Sequence, residues 1–178
     1  MSKSSHQTMN DSGVEPDTDA RQDSRTPETR ARHRELTDQA GERHDALTTA
    51  IERLERALAE AGIHRERRWS ERAAAALEEV RAMIQSHTDG VEEQKGLFDE
   101  IESLAPHLSK RVTALRKEHR ALASRSVALS DKLGLRDDLD IAKLRGHAAT
   151  LLADLRAHRA AEADLIYEAF WMEMGAPD

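Results

Sequence analysis

Four histidines stand where a leucine would be expected. His44, His87, His119 and His158 each interrupt a run of apolar residues spaced three and four apart. An imidazole so placed is a metal donor, an acid–base group or a hydrogen-bonded core residue. His158 is followed four residues later by Glu162, so on a helix an imidazole and a carboxylate point inward together, one turn apart. An ionised carboxylate buried without a partner is strongly destabilising, and a metal ion or a charged partner is the usual remedy. A lone inward histidine is more often a core hydrogen-bonder than a ligand. Four of them, one paired with Glu162, point instead to metal ligation. The chain has no cysteine, so disulfides, iron–sulfur clusters and thiolate zinc sites are excluded, and imidazole and carboxylate are the donors that remain.

The elements that must position these groups are helical almost throughout. From Pro27 onward the sequence is rich in Ala, Leu, Glu and Arg, with Pro106 the only interior proline before Pro177. Stops at Ala61-Gly62, at Ala105-Pro106 and over Gly134 to Asp138 divide it into helices at about 29–61, 67–103, 106–133 and 138–173. Each is roughly 30 residues, or about 45 Å long. Short connections between long amphipathic helices make an all-α, up-down-up-down four-helix bundle. Residues 1–28 hold too few apolar side chains to offset their ordering entropy and are expected to be a disordered tail, leaving 29–174 as the bundle.

The inward stripes follow from the same spacing. The first helix carries Leu36, Ala40, His44, Leu47, Ile51, Leu54 and Leu58; the second, Leu77, Val80, Ile84, His87, Val91, Phe98 and Ile101. The third carries Leu108, Val112, Leu115, His119, Leu122, Ser126, Leu129 and Leu133; the fourth, Leu144, Ala148, Leu151, Leu155, His158, Glu162, Leu165 and Ile166. Of the other histidines, His6 and His33 are assigned to or near the tail, and His64 and His107 to helix ends. His147 shares a face with His158; capping or solvent exposure is its expected role, with support of a metal ligand as the alternative.

The 178 residues suffice for one domain with its own core. Lys plus Arg is 27 against 34 Asp plus Glu, a net charge of -7, and aromatics are 3%, which disfavours nucleic acid as a partner. The Arg65, Arg67, Arg68 cluster reads as a solvated helix end. No run approaches the ~20 apolar residues of a membrane helix, and the N-terminus lacks a signal-peptide core, so a cytoplasmic location with no membrane partner is expected.

On these residues the chain resembles the hemerythrin-like (HHE cation-binding) family, whose helices supply a histidine, a histidine with glutamate four later, a histidine, and a second such pair. His44 in Arg-His-Asp-Ala-Leu is similar to the first ligand, and His119 in Leu-Arg-Lys-Glu-His-Arg-Ala-Leu to the third. His158 with Glu162, followed by Ile166-Tyr167, is similar to the fourth-helix motif. The second helix departs from the pattern. Counting back from Leu97-Phe98 puts Glu93 in the glutamate position and Asp89 where histidine belongs. Alternatively His87 is the ligand, with a kink or bulge near Gly90 reaching Glu93, or a one-residue bulge reaching Glu92. His87 is preferred, because an uninterrupted helix turns Asp89 and Glu93 toward solvent.

The resemblance implies a non-haem iron site with His44, His87, Glu93, His119, His158 and Glu162 as ligands. It implies two iron ions, and the irregular second helix leaves one or none open. Glu162 would be one bridge and Glu93 or Glu92 a second. The implied function is binding or sensing of O2, nitric oxide or peroxide. An iron-dependent peroxidase-like enzyme and a metal-free helical scaffold or interaction module are the alternatives, and zinc or manganese could take the same donors.

Overall fold

The computed structural model describes residues 26–60, 66–134 and 140–172, and among these all regular structure is helical. Helix α1 spans Pro27–Ala59, α2 Glu66–Glu92, α3 Leu97–Leu104, α4 Ser109–Gly134 and α5 Ile141–Tyr167. A 3-10 turn, Pro106–Leu108, leads into α4, and a π-helical segment, Glu168–Met172, extends α5. Thr26 caps α1 by accepting from the Thr29 amide at 3.2 Å, with Pro27 at the first helical position, where its missing N–H costs nothing. Asp140 caps α5 in the same way through the Lys143 amide at 3.0 Å. Pro27 and Glu28 therefore belong to the first turn of α1 rather than to a tail. Residues 1–25 of the expected tail, His6 among them, His64, the stop at Ala61-Gly62 and residues 135–139 lie outside the described residues.

The four long helices form a closed bundle, with α1 against α2, α2 against α4, α4 against α5 and α5 against α1. Their core is two apolar clusters. One gathers Leu47, Leu54, Trp69, Leu77, Leu129 and Leu151; the other gathers Leu36, Val91, Phe98, Val112, Leu115 and Leu165. Each helix crosses from one cluster to the other at its inward histidine. The second cluster is met before His44 on α1, after His87 on α2, before His119 on α4 and after His158 on α5. That alternation is the signature of up-down-up-down topology, as expected from the short connections. The histidines thus form one polar layer between two dry halves. Each fully buried leucine or phenylalanine in those halves contributes about 1.5–3 kcal/mol of transfer free energy, and the layer between them does not.

The second helix differs from the expectation of one helix over 67–103. It runs unbroken through Gly90, where the Arg43 guanidinium of α1 comes within 2.5 Å of where a Cβ would be. It ends at Glu92 instead. Lys95 adopts φ 63°, and the Gly96 amide closes a turn on the Glu93 carbonyl at 2.8 Å. A Cβ on Gly96 would lie 2.8 Å from that carbonyl oxygen, so only glycine fits this turn. The Asp99 carboxylate accepts from the Lys95 amide at 2.9 Å, and Arg32 donates to the Lys95 carbonyl at 2.8 Å, which ties the turn to α1. The new helix α3 then carries Phe98 and Ile101 back into the core.

Candidate metal centre

The polar layer brings together His44, His87, His119, His158 and Glu162. One donor atom from each of His87, His119, His158 and Glu162 lies within 4.8 Å of every other, and all four side chains are buried. The rings of His119 and His158 are 4.5 Å apart centre to centre, His87 and His119 5.1 Å, and His87 and His158 5.9 Å. Glu162 is fully buried, and its Oε2 accepts a hydrogen bond from His44 Nε2 at 2.8 Å. The same oxygen is 3.0 Å from His87 Nε2 and 3.9 Å from His158 Nε2.

Two of the imidazoles are held from behind by carboxylates. His119 Nδ1 donates to Glu92 Oε1 at 2.5 Å, and His158 Nδ1 donates to Glu118 Oε2 at 2.9 Å. A proton fixed on Nδ1 leaves a lone pair on Nε2, and in both residues Nε2 is the buried atom without a hydrogen-bond partner. Backing of a ligand imidazole by a carboxylate is the arrangement metal sites use to set the tautomer and raise donor strength. Glu92 is itself positioned by Arg116, 3.7 Å away, and Arg116 lies over Phe98, whose ring stacks on His119 at 5.7 Å and 7°. The break after Glu92 makes this stack possible, since Phe98 reaches His119 from α3.

The electrostatics favour free donors. Burial, with the neighbouring His158 and His87, pushes His119 down to about 4 despite the opposing pull of Glu92, so it is a neutral base at pH 7. Burial alone would raise the Glu162 carboxyl. The hydrogen bond from His44 and the proximity of His87 outweigh it and hold the group well below the usual carboxylate range, as the anion.

The donor set fits a metal ion. Among the described residues, the buried side-chain atoms without a hydrogen-bond partner include both nitrogens of His87, Nε2 of His119, Nε2 of His158 and Oε1 of Glu162. Each such atom costs on the order of 1–3 kcal/mol when nothing meets it. A cation at their centre would meet one nitrogen of each ring and one oxygen of Glu162 together. Donors bound at ~2.0–2.2 Å to one ion are at most ~4.4 Å apart, so the cluster must contract to hold one.

Glu93 is not part of this group: its side chain is exposed where the chain turns away toward Gly96. The bend that was to bring it inward at Gly90 is a helix end at Glu92. Asp89 is on the outside too, accepting from Gln85 at 2.6 Å. Glu92 stands behind His119 rather than among the inward donors. Glu118, next to His119 in sequence, was not singled out, because it lies off the apolar stripe of its helix. His33, near the start of α1, is buried, 2.7 Å from Glu100 and edge-on to Phe170, away from the centre. His107 is exposed beside Glu168 at 3.9 Å, and His147 approaches Lys132 at 3.3 Å, away from the centre.

Compared with protein-family models, curated proteins and solved structures, the chain gives no match. Among the described residues no helix is long and apolar enough to cross a membrane.

Proposed function

We propose that this bundle is a non-haem iron protein of the hemerythrin-like kind, which binds or senses a small ligand such as O2, nitric oxide or peroxide. The observation that carries the reading is the convergence of three imidazoles and one buried carboxylate, one donor atom from each within 4.8 Å of the others, in the middle of an apolar bundle. Imidazole and carboxylate suit iron, and a bound iron ion would supply a redox-capable centre with room for a small molecule.

The chain's own residues set the conditions around that centre. Glu92 and Glu118 fix the tautomers of His119 and His158, and His44 orients Glu162. Val91, Phe98 and Leu165 on one side and Ile84, Leu122 and Leu155 on the other are buried apolar residues of the two clusters that exclude bulk water. Such a site favours small, weakly polar ligands over large or highly charged substrates.

The test is anaerobic loading of the full chain with Fe2+, followed by the visible spectrum before and after O2 or nitric oxide, with His158→Ala as control. Iron retention together with a ligand-dependent spectrum in the wild type alone is expected. Iron retained with no spectral response to either gas sinks the ligand-binding half of the proposal. Failure to retain any added metal sinks the whole, and leaves a scaffold.

A further inference from the structure

We infer that the centre holds one metal ion rather than two, with His87, His119, His158 and Glu162 as its ligands, and that His44 is a positioning residue for Glu162. This rests on the metal-binding reading above and departs from what the hemerythrin-like resemblance implies.

A pair of cations about 3.5–4 Å apart needs bridging anions to offset their mutual repulsion. The resemblance supplies them from glutamates on the second and fourth helices. Here only the fourth helix delivers one. Glu93 is exposed beyond the end of α2, and among the described residues Glu162 is the only carboxylate in the group of mutually close donors. Glu92 and Glu118 contribute negative charge from the far side of the His119 and His158 rings, where they meet Nδ1 and do not face the centre. Only Glu162 could therefore lie between two cations, and a single carboxylate does little to offset their repulsion in a buried layer.

His44 stands outside the four residues whose donors all approach one another. Its Nε2 is committed to Glu162 Oε2 at 2.8 Å, which leaves Oε1 of the same carboxylate buried without a partner. A hydrogen bond on one carboxylate oxygen fixes the direction of the other. His44 therefore orients the Glu162 carboxylate, whose Oε2 also lies 3.0 Å from His87 Nε2 and 3.9 Å from His158 Nε2, and a residue able to donate from a similar place can replace it. Three imidazoles and one carboxylate oxygen make four protein ligands, which leaves an octahedral ion with open positions.

The experiment is metal content per chain of the full-length protein after saturation with Fe2+ or Mn2+ and removal of loosely held ions, joined to the electron paramagnetic resonance spectrum of the Mn2+ form. One ion per chain and the six-line spectrum of isolated Mn2+ are expected. Two ions per chain with an exchange-coupled spectrum overturn the single-ion inference while leaving the metal-binding reading intact; no retained ion overturns that reading and this inference with it. For His44, competition with a chelator should show affinity lowered roughly 10–100-fold in His44→Ala at unchanged stoichiometry, with recovery in His44→Gln, whose amide can donate. Loss of the ion in both variants makes His44 a ligand and overturns its assignment here.

Discussion

Glu92, the last residue of α2, accepts a hydrogen bond from Nδ1 of His119 on α4 at 2.5 Å, so the end of one helix sets the tautomer of an imidazole on another. Replacing Glu92 with glutamine keeps the shape and removes the charge. Metal affinity is expected to fall about 10–100-fold, the usual cost of losing such a partner. Glu118→Gln should fall less, because the Glu118 side chain is 49% exposed against 22% for Glu92, and water can replace what is lost. Chelator competition with both variants checks the order; a larger loss in Glu118→Gln contradicts it.

Glu162 links the metal to stability. A cation that binds only the folded chain at 100 times its dissociation constant stabilises it by about 2.7 kcal/mol, which raises the midpoint of a domain this size by roughly 5–10 °C. Glu162→Gln should lose that rise. Thermal melts with and without Fe2+ decide it, and an undiminished metal-dependent rise in the variant would exclude Glu162 as a ligand.

The divided core predicts where the effect of metal is felt. Without a cation, the layer at His44, His87, His119 and His158 joins two apolar clusters through unmet donors. Hydrogen exchange on metal addition should slow most for amides within a turn of these four residues, and least near the ends of α1 and α5. Uniform slowing along every helix would argue against a local centre.

Lys95 gives a prediction independent of any metal. A side chain at φ 63° carries strain that glycine does not. Lys95→Gly should stabilise the protein by up to about 1 kcal/mol, seen as a higher melting temperature at unchanged metal affinity. A lower melting temperature would show that the turn needs the lysine.

Much of the architecture is legible in the sequence because it depends on periodicity alone. Three-and-four spacing places Leu47, Leu77, Leu122 and Leu151 inside and puts the histidines among them, and that needs no knowledge of the neighbouring helix. The break at Glu93 to Gly96 is harder to see. The stretch Glu92-Glu93-Gln94-Lys95 is composed of good helix formers, and a single glycine at its end signals the turn only once the close approach to the Glu93 carbonyl is known. The carboxylates behind His119 and His158 are least visible. Glu92 and Glu118 lie off the apolar stripes, and which carboxylate reaches which ring nitrogen is set by how two helices are rotated against each other.

The histidine layer also governs how the helices can be threaded past one another. A bundle lined only by leucine can slip by a turn, about 5.4 Å, and lose little, since one leucine replaces another. Here such a slip on any helix would press an imidazole into one of the two apolar clusters, and a slip of α5 would displace Glu162 as well. One buried polar position can fix the alignment of packed helices at some expense in stability. In this protein the residues suited to grip a cation also act as the pin that lets the bundle close in a single alignment.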